Sequence, residues 1–268
     1  MKVEIKIIQK TILQILIEVD DFCRRENIMY MLSGGTCLGA VREKGFISWD
    51  DDADIMMLRA DYERFLTKIS SNFSDKYVVS SFVTDDKWQR PYTKIWDKRT
   101  KAIQINSTEE STGIGIDVFP IDNIPNDNRL CKIWFYKMKF YNILRNSSRR
   151  SDFYPGEKYR CFKRVLDFFT KRKGTLYFAK KIEHIAKKYA TDDCVNVGAV
   201  MALNYWEKEI IPKKCLDSVM YIDFEDVKLP IPVGYDEYLT NLYGDYMNPP
   251  KDKIDHSDVQ ELEIENFE

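Results

Sequence analysis

Four aspartates crowd into five residues, Asp50-Asp51-Asp52-Ala53-Asp54. Asp50, Asp52 and Asp54 alternate, so an extended backbone would put all three on one face. Like charges held that closely repel unless a cation sits between them. Carboxylate oxygens are hard ligands and suit Mg²⁺ or Mn²⁺. Ile55, Met56 and Met57 follow at once, which places the carboxylates at the mouth of a buried strand. A second clue is Asp117, an acid between Ile116 and Val118. A lone carboxylate in an apolar strand is expensive to bury without a partner. On its own it suggests a salt bridge or a capped strand end. Beside the acidic cluster it reads as a further arm on a shared metal. The expected metal ligands are therefore Asp50, Asp52, Asp54 and Asp117.

Two other readings of the acidic run compete. Asp50-x-Asp52-x-Asp54 resembles the start of a helix–loop–helix calcium loop, but that loop needs glycine at its sixth position, and Ile55 stands there. A merely solvated acidic turn is the other. Upstream, Gly34-Gly35 precedes Thr36. Glycine lets backbone N–H groups approach a phosphate closely, and such a turn at a helix entrance makes an anion site. Strand, Gly-Gly, short helix and then Asp-x-Asp on a second strand would bring phosphates beside a metal, as phosphoryl transfer requires. Gly34, Gly35 and Thr36 are thus candidates to bind phosphate oxygens. Arg42 and Lys94 are candidate counter-charges, with ordinary salt bridges as the equal alternative.

The elements that would position these residues are short. Helical spacing of Ile5, Ile8, Ile12, Ile15, Leu16 and Val19 predicts a helix over 3–26. Strands are expected at 28–32 and 55–58, with a Gly-rich turn at 33–36 and a short helix at 37–42. A helix over 61–70 follows. Further strands are expected at 77–83, 92–96, 101–105 and 114–120, the last ended by Pro120. Helices are expected over 129–145 and 158–190, short strands near 219–231, and a helix at about 234–243. The pattern mixes helices with strands of a sheet, and its basic segment reads as helical.

The formal net charge of −2 hides that segment. Residues 129–188 hold 18 Lys and Arg against 4 Asp and Glu, a net +14, so the rest carries −16. Such a segment suits a polyanion or an anionic membrane face, and equally a solvated helical insertion without a partner. The helix at 129–145 mixes Trp134, Phe135, Tyr136, Phe140 and Tyr141 with Lys132, Lys137 and Lys139. It could meet lipid or bury its aromatics. The six cysteines form no CxxC pair, which argues against zinc and against a disulfide framework. Charges at Lys2, Glu4, Lys6 and Lys10 interrupt any signal-peptide core, and no run of 18 uncharged apolar residues occurs. The expectation is a cytoplasmic protein, working at the inner membrane face if the basic segment meets lipid. Neither His184 nor His256 lies in a motif.

Three blocks carry a family resemblance: Ser33-Gly34-Gly35-Thr36-Cys37-Leu38-Gly39-Ala40-Val41-Arg42, Lys44-Gly45-Phe46-Ile47 and Trp49-Asp50-Asp51-Asp52-Ala53-Asp54-Ile55. With Tyr92 to Thr100, Gly115 to Asp122 and Leu239 to Met247 in order, the chain closely resembles the LicD family. That resemblance implies an α+β, nucleotidyltransferase-like fold: a small mixed sheet flanked by helices, one domain over 1–268 with a basic helical insertion at about 129–190. It also implies Asp52 and Asp54 as Asp-x-Asp metal ligands, with Asp117 the third carboxylate. Such enzymes typically move phosphocholine from CDP-choline to a sugar of teichoic acid or lipopolysaccharide. Relatives, including the fukutin group, transfer ribitol phosphate or similar groups from CDP-linked donors. One departure is Pro249-Pro250-Lys251-Asp252-Lys253-Ile254-Asp255-His256-Ser257, which lacks the family's Arg and one of its paired His, so no role is carried over for this tail.

The expected reaction is attack by a sugar hydroxyl of a lipid-linked or polymeric glycan on the distal phosphorus of CDP-choline, releasing CMP. Asp52, Asp54 and Asp117 are the expected catalytic residues, with Mg²⁺ or Mn²⁺ neutralising the diphosphate. Choline is a quaternary ammonium and is met best by aromatic faces. Trp49, Tyr92 and Trp96 lie near the motifs, and Trp49 is the preferred candidate. Transfer of glycerol or ribitol phosphate stays open, as does a true nucleotidyltransferase releasing pyrophosphate. The non-enzymatic alternative is a polyanion-binding protein. No nucleic-acid partner is expected.

Overall fold

The computed structural model describes residues 4–73, 75–104, 108–109, 111–153, 156–190, 193–199, 206–249 and 259–264. The chain opens with α1 (Ile5–Glu26), β1 (Met31–Leu32), α2 (Gly34–Arg42), β2 (Ala53–Leu58) and α3 (Arg59–Asn72). Then come β3 (Tyr77–Ser80), β4 (Thr93–Asp97), β5 (Thr100–Gln104) and β6 (Gly115–Ile124). Three helices follow, α4 (Asn128–Arg149), α5 (Arg160–Lys173) and α6 (Thr175–Ala186). After them lie β7 (Asn196–Gly198), β8 (Ile211–Pro212), β9 (Val219–Phe224), β10 (Val227–Pro232), α7 (Tyr235–Tyr243) and β11 (Val259–Ile264).

The main sheet has seven strands and is mixed. Its order is β1-β2-β6-β4-β3, with β7 added to β6 and β8 to β7. Only β2 and β6 run parallel. Two small antiparallel ribbons, β9 with β10 and β5 with β11, complete the strands. The centre of the sheet alternates cleanly. Ala53, Ile55, Ile95, Ile116 and Val118 are fully buried, while Asp54, Lys94 and Asp117 between them are only partly so. Helices α1 and α3 pack on the sheet. Ile12, Ile15, Leu16 and Val19 of α1 join Phe65 of α3 and the strand residues in one core. Phe22 meets the Phe65 and Phe73 rings edge to face, each at 5.8 Å between centroids. A second, smaller core forms where α4 meets α6, around Trp134, Phe135, Met138 and Ile182. Among the described residues no helix is long and apolar enough to cross a membrane.

Several local expectations change. Strand β6 does not end at Pro120 but runs on to Ile124. Proline lacks an N–H and is tolerated only where no ladder needs it. On one edge of β6 the β4 ladder stops at Val118 and the β7 ladder starts at Asp122, so Pro120 falls in a gap there, while on the other edge it stands opposite Met57 of β2. Gly34 and Gly35 are not a turn before a helix but the first residues of α2. The expected helix over 158–190 divides into α5 and α6 at Gly174, whose φ of +81° ends the first. Strands β7, β8 and β11 were not expected at all. His256 and the tail at 250–258 lie outside the described residues.

Candidate active site

The sheet register assembles the site's floor. In the parallel pair β2–β6, Asp54 stands opposite Asp117. In the antiparallel pair β4–β6, Lys94 stands opposite the same Asp117. Three polar side chains thus lie in one row across three central strands. The Lys94 Nζ donates to Asp117 Oδ1 at 2.9 Å.

At the row's end the backbone before β2 loops. Asp50, Asp51 and Asp52 lie in this irregular stretch, not in an extended strand. Their carboxylate oxygens approach within 4.8 Å of one another. The alternation argument is therefore corrected. An extended chain would turn consecutive side chains to opposite sides, whereas the loop gathers three in a row. Asp51 was missed for that reason. The loop is held from α1: Gln9 Nε2 donates to the carbonyls of Ile47 at 3.2 Å and Asp50 at 2.9 Å.

Helix α2 supplies the facing wall. Gly34 has φ +50°, which favours glycine, and a Cβ there would lie 3.6 Å from Asp54 Oδ2. A Cβ on Gly35 would sit 3.2 Å from Asp50 Oδ2, tighter than ordinary contact. Both glycines therefore leave open the space between the helix entrance and the carboxylates. Several of the local polar groups serve each other. Ser33 N–H donates to the Asp54 carbonyl at 2.9 Å. Thr36 is buried, and its Oγ1 accepts the Asp54 N–H at 2.8 Å. The Gly34 N–H donates to the buried Tyr238 hydroxyl at 2.9 Å, and that hydroxyl lies 3.1 Å from Ser33 Oγ. Tyr238, more than 200 residues away in sequence, fixes the start of α2. Thr36 positions Asp54 through its backbone.

The electrostatics are those of excess negative charge. Burial, then Asp52 and Asp51, pushes the Asp50 carboxyl up to about 7, and its side chain hydrogen-bonds Asp52. Asp52 is also raised, by desolvation first and then by Asp117 and Asp51, with Lys94 opposing. Asp54 is pushed well above the carboxylate range by burial, then by Asp52, Asp117 and Asp50. Lys94 opposes the upward shifts of both Asp52 and Asp54 without cancelling them. The donors are all carboxylate oxygens beside a small-residue wall, and they fit a hard divalent cation.

The other expected binding residues separate. Trp49 is exposed next to Asp50 and borders the mouth. Arg42 sits at the far end of α2 from the glycines. Its Nε donates to Glu43 at 2.9 Å and its Nη1 to the Tyr246 carbonyl at 3.2 Å. The structure does not bring it to the carboxylates. Tyr92 packs on Phe119 at 4.9 Å, and Trp96 Nε1 donates to Ser80 Oγ at 3.1 Å.

Comparison with known proteins bears on this site. The family described as "LicD/FKTN/FKRP, nucleotidyltransferase domain" matches residues 27–157, which include α2, the acidic loop, Lys94 and Asp117. The lipopolysaccharide cholinephosphotransferase LicD of Haemophilus influenzae is 31% identical over 266 residues, covering 96% of each chain. An uncharacterized protein of Rickettsia prowazekii, RP689, is 38% identical over 68 residues, a quarter of each chain. With near full-length similarity on one side and the site-bearing blocks on the other, the chain belongs to the LicD family.

Proposed function

We propose that the protein transfers phosphocholine from CDP-choline to a sugar hydroxyl of a cell-surface glycan and releases CMP. The observation that carries this reading is the in-register row Asp54–Asp117–Lys94 under the Asp50–Asp52 loop, facing the Gly34-Gly35 entrance of α2. The chemistry is taken from the similarity to a lipopolysaccharide cholinephosphotransferase along nearly the whole chain. The nucleotidyltransferase-like label for the sheet is part of the same proposal.

Asp50, Asp52, Asp54 and Asp117 would hold Mg²⁺ or Mn²⁺. That ion would neutralise the diphosphate and ease the departure of CMP. The chain's own residues do the rest. The open wall at Gly34 and Gly35 admits the phosphates close to the backbone. Lys94 fixes Asp117 through Oδ1, so Asp117 keeps a defined orientation toward the acceptor. The acceptor oxygen forms its bond to the choline-bearing phosphorus as the bond from that phosphorus to the CMP oxygen breaks. The hydroxyl proton passes to Asp117 or to water. Positioning matters more here than base strength. Trp49, exposed and next to Asp50 in the chain, would offer an aromatic face to a quaternary ammonium.

The donor is tested directly. Purified protein with a divalent metal and a lipopolysaccharide acceptor is given CDP-choline, CDP-glycerol or CDP-ribitol, and CMP is followed by chromatography. CMP release with CDP-choline, at least about tenfold faster than with the alditol donors, is expected from a cationic-headgroup site. Faster turnover of CDP-glycerol or CDP-ribitol would replace the choline assignment and leave the phosphotransfer reading in place.

A further inference from the structure

Helix α5 is folded inside out. Its buried residues are Asp167 and Thr170. They face α4, where Ser147 Oγ donates to Asp167 Oδ1 at 2.5 Å and lies 3.1 Å from Thr170 Oγ1. The opposite side presents Phe162, Val165, Phe168 and Phe169, with exposures of 72%, 58%, 60% and 62%. Their spacing of three and four residues draws one stripe along the helix. An amphipathic helix of a water-soluble domain turns such a stripe inward. Here hydrogen bonds hold the polar face in and leave the aromatic face out, a contiguous apolar surface that marks an interaction site. Helix α4, packed against α5, adds exposed Tyr136 and Phe140.

The charge around the stripe selects the occupant. Helix α5 carries Arg160, Lys163, Arg164, Lys171, Arg172 and Lys173, and its one acid, Asp167, is buried. The wider segment 129–188 is net +14. A second copy meeting it through the same helix would bring the same charge against it. A soluble anion would pair with the lysines and leave the phenylalanines in water. An anionic bilayer surface satisfies both halves: headgroups meet the basic residues while the rings enter the acyl boundary.

We infer that α5, with the exposed side of α4, docks the protein on anionic phospholipid. The inference does not depend on the donor or on the reaction. The test is co-sedimentation of the full chain with vesicles of phosphatidylcholine alone or mixed with phosphatidylglycerol. Binding to the mixed vesicles only, weakened by high salt, is expected. F168S/F169S should lower partitioning by about tenfold or more. K171S/R172S/K173S should lower it about fivefold for each basic residue removed. All five side chains are exposed, so the variants should keep the parent's melting temperature. Absence of vesicle binding at low salt overturns the inference. So does binding unchanged in both variants, and so does a concentration-dependent dimer that F168S/F169S abolishes, which would assign the stripe to a second copy.

Discussion

Asp54→Asn is expected to lower transfer about a thousandfold or more while the protein stays folded. The loss would follow from removing a proposed metal ligand where the row meets the acidic loop, since metal stabilisation of developing charge is worth several kcal/mol. The folding part follows from the electrostatics. Asp54 is a carboxylate raised by burial and by three like-charged neighbours. Without metal, its charge opposes the folded state, so the amide should melt no lower than the parent. Steady-state assay and thermal unfolding on the same preparation check both halves. Activity within tenfold of the parent would remove Asp54 from the site.

The second large effect lies five residues beyond Asp117 in the same strand. Asp122 is fully buried, and both its oxygens accept from Arg59, from Nε and from Nη2, each at 2.7 Å. Glu183 at 3.2 Å and Glu63 at 3.4 Å face the same guanidinium through Nη1. Breaking such a pair leaves a buried guanidinium short of charge. Asp122→Ala should therefore destabilise by about 3 kcal/mol, a fall in Tm of roughly 6–10 °C. Replacing both partners with apolar residues should recover much of that loss. Asp117→Asn should do the reverse of Asp122→Ala, abolishing transfer with little change in Tm. Those two outcomes together would give two aspartates of one motif separable roles, one in the reaction and one in the fold.

These two cases show where the sequence was legible. Asp54 and Asp117 stand out because each interrupts an apolar strand, and period-two alternation turns both to the same side. Lys94 was named on charge alone; only the register of β4 on β6 shows that it meets Asp117. Asp51 was dropped because alternation was applied to residues that form a loop. Gln9 and Tyr238 carry no local signal, since what they hold lies about 40 and 204 residues away. Arg42 was a candidate because a guanidinium fork suits phosphate, with a salt bridge as the equal alternative, yet a nine-residue helix puts it about 12 Å from Gly34 and it pairs with Glu43. The stripe on α5 reads in sequence as an ordinary core face. The hydrogen bonds from Ser147 that turn it outward come from another helix and leave no periodic trace.

The claim that the clustered carboxylates form a metal centre is tested most directly by thermal unfolding across pH, with and without Mn²⁺. Asp50 is raised from 3.8 to about 7 in the folded protein. A raised acid contributes stability while both states hold its proton, and that contribution is lost as pH rises through the folded value. The metal-free Tm should therefore fall as pH rises from about 4 to about 7 and level off above that. Buried Glu209, also raised to about 7, adds to the same trend, but it lies outside the acidic loop. Mn²⁺ should restore Tm strongly at the upper pH and weakly at the lower, because protons compete with the ion for the carboxylates. Asp54→Asn should remove that rescue. A Tm indifferent to Mn²⁺ at both values, or a rescue that survives Asp54→Asn unchanged, would contradict the metal centre.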